Sequence, residues 1–199
     1  MTHPDQLRDD LRYIANTLHR RERMLGTPSI YFLWAAIILV GFTLPDIAPH
    51  RAGWYWLVAG IGGGLLSMWL GDRDDRNRGD HDREAGRRFG LHWAIGGAAY
   101  LLLALPMATG RIPPQEASQY FLFLTGLLYA LAGLHLLRPM LLPGLVMMAS
   151  FALMMLWRPP YTWTVTGVLI AASLAWAGWA TLRARRFEPV ADADGDALQ

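Results

Sequence analysis

Two histidines stand in otherwise apolar stretches, His92 in FGLHWA and His135 in LHLLRP. An imidazole in such a setting has three chemical uses. It can ligate haem iron or a transition metal through a neutral nitrogen. It can relay a proton near neutral pH. It can also hydrogen-bond a helix carbonyl or headgroup water, an interaction worth about 1 kcal/mol or less between helices in lipid. Spacing ties the two residues together. His92 lies four residues after Arg88, about 6 Å of helix rise, and His135 lies three residues before Arg138, about 4.5 Å. If both arginines mark one membrane surface, the rings sit at similar depth on helices joined by a short outer connection. His92 and His135 are therefore the candidate cofactor ligands, and their types alone do not fix which cofactor. Ligation lacks support elsewhere: a metal wants a third or fourth ligand, and no carboxylate or thiol lies inside the apolar stretches.

Other residues raise chemical questions with plainer answers. Met140, Met147, Met148, Met154 and Met155 suggest a thioether copper site. Met140, Met147 and Met154 are seven residues apart, about 10.5 Å along a helix, so they cannot share one ion and read as adaptable packing. The stretch GDRDDRNRGDHDREAGRR holds six acids and six arginines. A calcium loop starting at Asp74 would place Arg76 at its third ligand position, where it repels a cation. A self-neutralising, solvated loop that can serve as a docking surface fits better. Ser67, Thr125, Ser150, Thr164, Thr166 and Ser173 could line a polar path, or could bond their own helix carbonyls. No acid, lysine or arginine falls at mid-span depth, and Asp46 sits at an outer end beside Pro45, which weighs against ion-coupled transport. Cysteine is absent, which removes thiolate sites and disulfides, and no catalytic triad, phosphate loop, dinucleotide fingerprint or zinc signature is present.

The elements that must carry these residues follow from where charge is missing. Charge is gathered in residues 1–24, 72–88 and 183–199, and the stretches between are long and apolar. A helix of roughly 20 apolar residues crosses the roughly 30 Å hydrocarbon core. Six spans are expected, at residues 29–44, 54–71, 89–108, 118–137, 140–157 and 161–182. Pro45 and Pro106 are expected to close the first and third. With the N-terminus cytoplasmic, 15 of the 18 arginines fall inside and only Arg51, Arg111 and Arg158 outside, a strong positive-inside bias. Tryptophans and tyrosines gather near span ends, as an interfacial belt does. The even spans align, with Gly60, Gly126 and Gly167 in register and Trp54, Tyr120 and Tyr161 six positions before them, which suggests three tandem helical hairpins. Gly60 and Gly64 form a G-x-x-x-G pair, a close-approach surface that could make a homodimer.

Residues 1–28 carry a different pattern. Leu7, Leu11, Ile14 and Leu18 recur at helical spacing with arginines beside and opposite, giving an amphipathic cytoplasmic helix that could lie on the membrane, cover the bundle mouth or dock a partner. The segment LRDDLRYIANTLHR, followed by paired hydrophobic hairpins, resembles a group of small bacterial multi-spanning membrane proteins that begin with an Asp-Leu-Arg-Tyr-Ile type helix. Asp10, Leu11, Arg12, Tyr13 and Ile14 carry the match. The resemblance implies a bacterial membrane protein and brings no activity with it.

The expectation is an all-α, polytopic membrane protein with a cytoplasmic helix over 1–28, six transmembrane helices over 29–182, a charged cytoplasmic loop over 72–88 and a disordered cytoplasmic tail over 183–199. The expected location is the bacterial inner membrane, with both termini cytoplasmic. The leading functional expectation is a non-enzymatic component that contacts a cytosolic or membrane partner through the N-terminal helix and loop 72–88. A small transporter or channel and a haem- or metal-binding protein using His92 and His135 are the alternatives. The net charge of +2 is too small to suggest nucleic acid.

Overall fold

Proline and glycine punctuate the chain much as the sequence suggests. The computed structural model describes residues 26–78, 83–157 and 159–186. All regular structure among them is helical: α1 Pro28–Ile47, α2 Pro49–Arg78, α3 Arg83–Ala108, α4 Pro114–His135, a 3-10 turn Arg138–Met140, α5 Leu141–Leu156 and α6 Thr162–Arg186. Pro28, Pro49 and Pro114 open their helices, where the missing N–H would have had no intrahelical partner. Pro45 and Pro106 lie inside α1 and α3, which each run two residues past the proline expected to close it. Both prolines sit in a last turn, where little helix remains to be broken. Gly110, at φ 70°, then turns the chain out of α3, and the Arg111 and Ile112 amides bond back to Pro106 O.

Five helical segments are long and apolar enough to cross a bilayer: Pro28–Ile47, Gly86–Ala108, Glu116–His135, Arg138–Leu156 and Thr162–Arg185. They mark the chain as a membrane protein. Helix α2 is not among them. Its apolar stretch is diluted by Gly60, Gly62, Gly63 and Gly64 and by Trp54, Tyr55, Trp56 and Trp69, all of which transfer to hydrocarbon less favourably than leucine or isoleucine.

The packing runs in the order α2–α1–α6–α5–α4–α3, with the broadest interfaces between α1 and α6 and between α4 and α5. The chain-adjacent pairs α1–α2, α3–α4 and α5–α6 also touch. One buried cluster joins Tyr31 and Ile38 of α1, Leu122, Tyr129 and Ala132 of α4, Met147 and Met154 of α5, and Ile170 and Leu174 of α6. Met140, Met147 and Met154 fall on that one buried face, as packing residues do. Helices α2 and α3 reach the cluster only through the partly buried Trp56 and Trp93. Alongside α1, α2 runs antiparallel over its full length: Trp56 meets Gly41, Gly63 meets Ile37, Trp34 Nε1 donates to Ser67 Oγ at 2.9 Å, and Thr27 Oγ1 donates to Asp74 Oδ2 at 2.9 Å.

The expected loop over 72–88 is mostly helix. Residues 72–78 continue α2 and residues 83–88 open α3, leaving only 79–82 outside the described residues. Asp72 with Arg76 and Glu84 with Arg88 form i,i+4 ion pairs, which support a helix turn even in solvent. Residues 183–186 likewise belong to α6. The expected N-terminal helix, up to residue 25, and the tail from 187 onward lie outside the described residues.

At the α4–α5 interface backbone meets backbone. A Cβ on Gly144 would collide with the Ala130 nitrogen and lie 2.8 Å from Gly126 O, whereas a Cβ on Gly60 would meet nothing within 4 Å. Gly144→Leu is therefore expected to destabilise by at least about 1–3 kcal/mol, since the obstacle is main chain and no rotamer relieves it. Gly60→Leu should leave stability unchanged or raised. Thermal unfolding in detergent, followed by tryptophan fluorescence, measures both, and equal melting temperatures would refute this account of the interface.

Candidate functional site

His92, on the α4-facing side of α3, is half-buried. Its Nε2 lies 3.2 Å from Leu128 O, and its ring meets Trp93 edge-on at 5.4 Å. A carbonyl only accepts, so the contact puts the proton on Nε2 and leaves Nδ1 as the sole nitrogen able to ligate. His135 ends α4 and is exposed. It lies seven residues beyond Leu128, about 10.5 Å along the helix. The structure does not bring the two histidines together. Arg88 belongs to the charged first turns of α3, so it does not mark the same level as Arg138, and the equal-depth estimate slips by two turns. Among the described residues, no group of three or more His, Asp or Glu could hold a metal ion.

The hydroxyls expected to line a path are largely committed elsewhere. Ser67 donates to Gly63 O, Thr125 to Phe121 O and Ser173 to Ile170 O, each a carbonyl of its own helix. Since the Thr125 proton is used on Phe121, the Tyr100 hydroxyl donates to Thr125 Oγ1 at 2.6 Å, linking α3 to α4. Thr164 is bound to Asp46: Asp46 Oδ2 accepts from both the Thr164 amide and its hydroxyl at 2.7 Å. A carboxylate from α1 thus caps the start of α6, where amides lack helical partners and the dipole favours negative charge. Phe42, Trp56 and Trp163 pack beside it, with Phe42 5.7 Å from each indole. Asp46 thus commits Oδ2 to the helix start.

The opposite end of the bundle holds a constellation that sequence reasoning missed. Asp74 of α2 faces Arg185 of α6 as a fork, Nη1 at 3.4 Å from Oδ1 and Nη2 at 3.2 Å from Oδ2. Oδ2 also accepts from Thr27, and Arg185 Nη2 donates to Gly26 O. Both side chains are 22% exposed, and Arg185 Nε is buried without an acceptor. Charge-assisted bidentate pairing out of full solvent is among the stronger polar contacts. It fastens three chain segments at one point: the entry to α1, the end of α2 and the end of α6. By sequence alone Asp74 falls in the expected solvated loop and Arg185 in the expected tail. Their separation of 111 residues gives no local signal of pairing.

No family model, curated protein or solved structure matches the chain. The geometry therefore stands alone, and it is a geometry of tethers: carboxylate to guanidinium, carboxylate to helix start, imidazole and phenol to a neighbouring helix.

On this account His92→Phe should cost about 1 kcal/mol through loss of one interhelical hydrogen bond. His135→Phe should cost nothing measurable, and neither variant should change the visible spectrum or the metal content of the purified protein. A Soret band or stoichiometric metal that disappears in both variants would restore joint ligation.

Proposed function

We propose that this chain is a six-span, non-enzymatic component of a bacterial inner membrane, with both ends cytoplasmic, that acts by contacting a cytosolic or membrane partner at the end carrying Asp74 and Arg185. Parity supports the span count. Thr27 and Arg185 meet the same carboxylate, so the chain enters α1 and leaves α6 on one side, and the crossings between them must be even in number. Five helices have the apolar length. Helix α2, antiparallel to α1 and bearing exposed Leu57, Val58, Ile61 and Leu65, supplies the sixth. The contacts between chain-adjacent pairs agree with three hairpins.

Sidedness follows from arginine. Arg73, Arg76, Arg87, Arg88, Arg138, Arg183 and Arg185 lie toward the end fastened by Asp74, and Arg51 and Arg111 toward the other. That bias supports a cytoplasmic position for the Asp74 end.

One observation carries the contact reading. Helix α2 has 30 residues, about 45 Å, against a hydrocarbon core of about 30 Å. Its last turns and the first turns of α3 therefore stand clear of the membrane as ordered helix. Asp72, Arg76, Glu84 and Arg88 remain more than half exposed there. A charged surface mounted on helix is presented with little ordering left to do on binding. The homodimer is a further contact to test, because Gly60 and Gly64 meet nothing within the chain. No comparable support exists for a transport path, since Ser67, Thr125 and Ser173 bond their own helices and Thr164 bonds Asp46.

Two measurements follow. The chain has no cysteine, so single-cysteine labelling is clean. His50→Cys and Asn77→Cys should react with a membrane-impermeant maleimide from opposite sides of the membrane, and reaction from the same side would remove α2 as a span. Arg76→Glu combined with Arg88→Glu should abolish crosslinking of the full chain to its partner in intact membranes, and Arg51→Glu should not. Unchanged crosslinks in the double variant would defeat the contact reading while leaving the span count intact.

A further inference from the structure

Helices α1 and α6 make one of the two broadest interfaces in the molecule, yet a trough of about 340 Å³ runs open along it. Ala35, Ala36 and Leu39 form one wall, and Val168, Ala171, Ala172 and Ala175 the other, with no polar atom in the lining. The volume lies at the lower end of the range for small-molecule sites. It remains because the alanine side chains on both walls are too short to fill it.

What continues the trough shows what fits it. On α6, Val168, Ala172, Ala175, Trp179 and Arg183 recur at helical spacing and share one face. Trp179 is half-exposed, and the Arg183 guanidinium lies 4.5 Å over its ring. No carboxylate among the described residues pairs with Arg183, whereas Arg185 is consumed by Asp74. A cation without a carboxylate partner among the described residues, lying on an interfacial tryptophan, marks headgroup depth. From Arg183 to Ala172 is eleven residues, about 16 Å, close to half of the roughly 30 Å hydrocarbon core.

We propose that this face is a binding site for one anionic phospholipid of the leaflet beside Arg183, with its phosphate on the guanidinium, its glycerol region at Trp179 and one acyl chain lying in the alanine trough. Charge complementarity and the match of length to a single leaflet select a lipid. A helix from a second copy, about 10 Å across with its side chains, has no comparable fit to a trough walled at its far end by Leu39 and Val168. The site is independent of the partner surface on α2 and α3.

The test is native mass spectrometry of the full chain in detergent, titrated with phosphatidylglycerol and with phosphatidylcholine of the same acyl chains. The wild type should hold the first phosphatidylglycerol at least about tenfold more tightly than phosphatidylcholine, a difference of about 1.4 kcal/mol. Arg183→Gln should remove that preference. Ala172→Leu, at an exposed lining position, should weaken both lipids, with the melting temperature showing that the fold survives. If it does not survive, the Arg183→Gln comparison decides. Arg73 also sits over a tryptophan, 5.3 Å from the Trp69 ring, but lines no trough. Arg73→Gln should therefore leave the adduct unchanged. Equal affinity for the two lipids, an equal loss in Arg73→Gln, or a dimer that Ala172→Leu converts to monomer without change in lipid binding would each overturn the proposal. The last result would make the trough an interface between copies.

Discussion

In hydrocarbon, helices gain nothing by hiding leucine from a solvent that is itself greasy, so association depends on close contact and on polar groups finding partners. The four central helices use the first of these. Gly126, Gly133 and Gly144 let α4 and α5 touch backbone to backbone, and Gly167 and Gly178 of α6 make room for the Phe42, Tyr31 and Phe32 side chains of α1. Each glycine costs helix stability, and the close approach offsets that cost. The buried methionines fill what remains between these pairs, their flexible thioether chains adapting to the spaces left beside glycine.

The two outer helices are held differently. Few of their side chains reach the core, and several of their glycines face open space. Helix α2 hangs on α1 by Trp34 to Ser67, Tyr55 to Ile37 O and Thr27 to Asp74. Helix α3 hangs on α4 by His92 to Leu128 O and Tyr100 to Thr125. Interhelical hydrogen bonds in membranes are individually worth about 0.6 kcal/mol on average. Several along one helix can set its register, even where they add little to overall stability. The imidazole in the FGLHWA stretch is then one of α3's attachments, and the histidine of LHLLRP is an exposed helix end.

What could be read from the sequence is what repeats locally. The low-charge stretches marked where six helices lie, five of them long and apolar enough to cross a bilayer. The seven-residue methionine spacing pointed to packing, and the packing is there. The ends were less legible. The charged stretch over 72–88 looked like a loop because its composition is polar, but Asp72–Arg76 and Glu84–Arg88 sit at helix spacing, and that cue was available. Gly60 aligns with Gly126 and Gly167 in the sequence, yet their surroundings differ. Only the latter two have neighbours, because a local motif does not say which face of a helix its partner will occupy. The Asp74–Arg185 fork and the Asp46 cap could not be seen at all. Each joins residues more than 100 positions apart, and in a single sequence a charge beside a span looks the same whether it is paired or solvated.

These two carboxylates sit at opposite ends of the bundle and divide the work. Asp46 fixes the start of α6 against the end of α1, and Asp74 fixes the end of α6 against the start of α1 through Arg185. The α1–α6 pair is thereby pinned at both ends, and α2 is drawn in at one of them. Such pinning explains why that interface can leave an unfilled trough without parting. Polar attachment at the ends makes dense packing in the middle unnecessary, and the exposed Ala36 and Ala172 beside the space are free to face lipid.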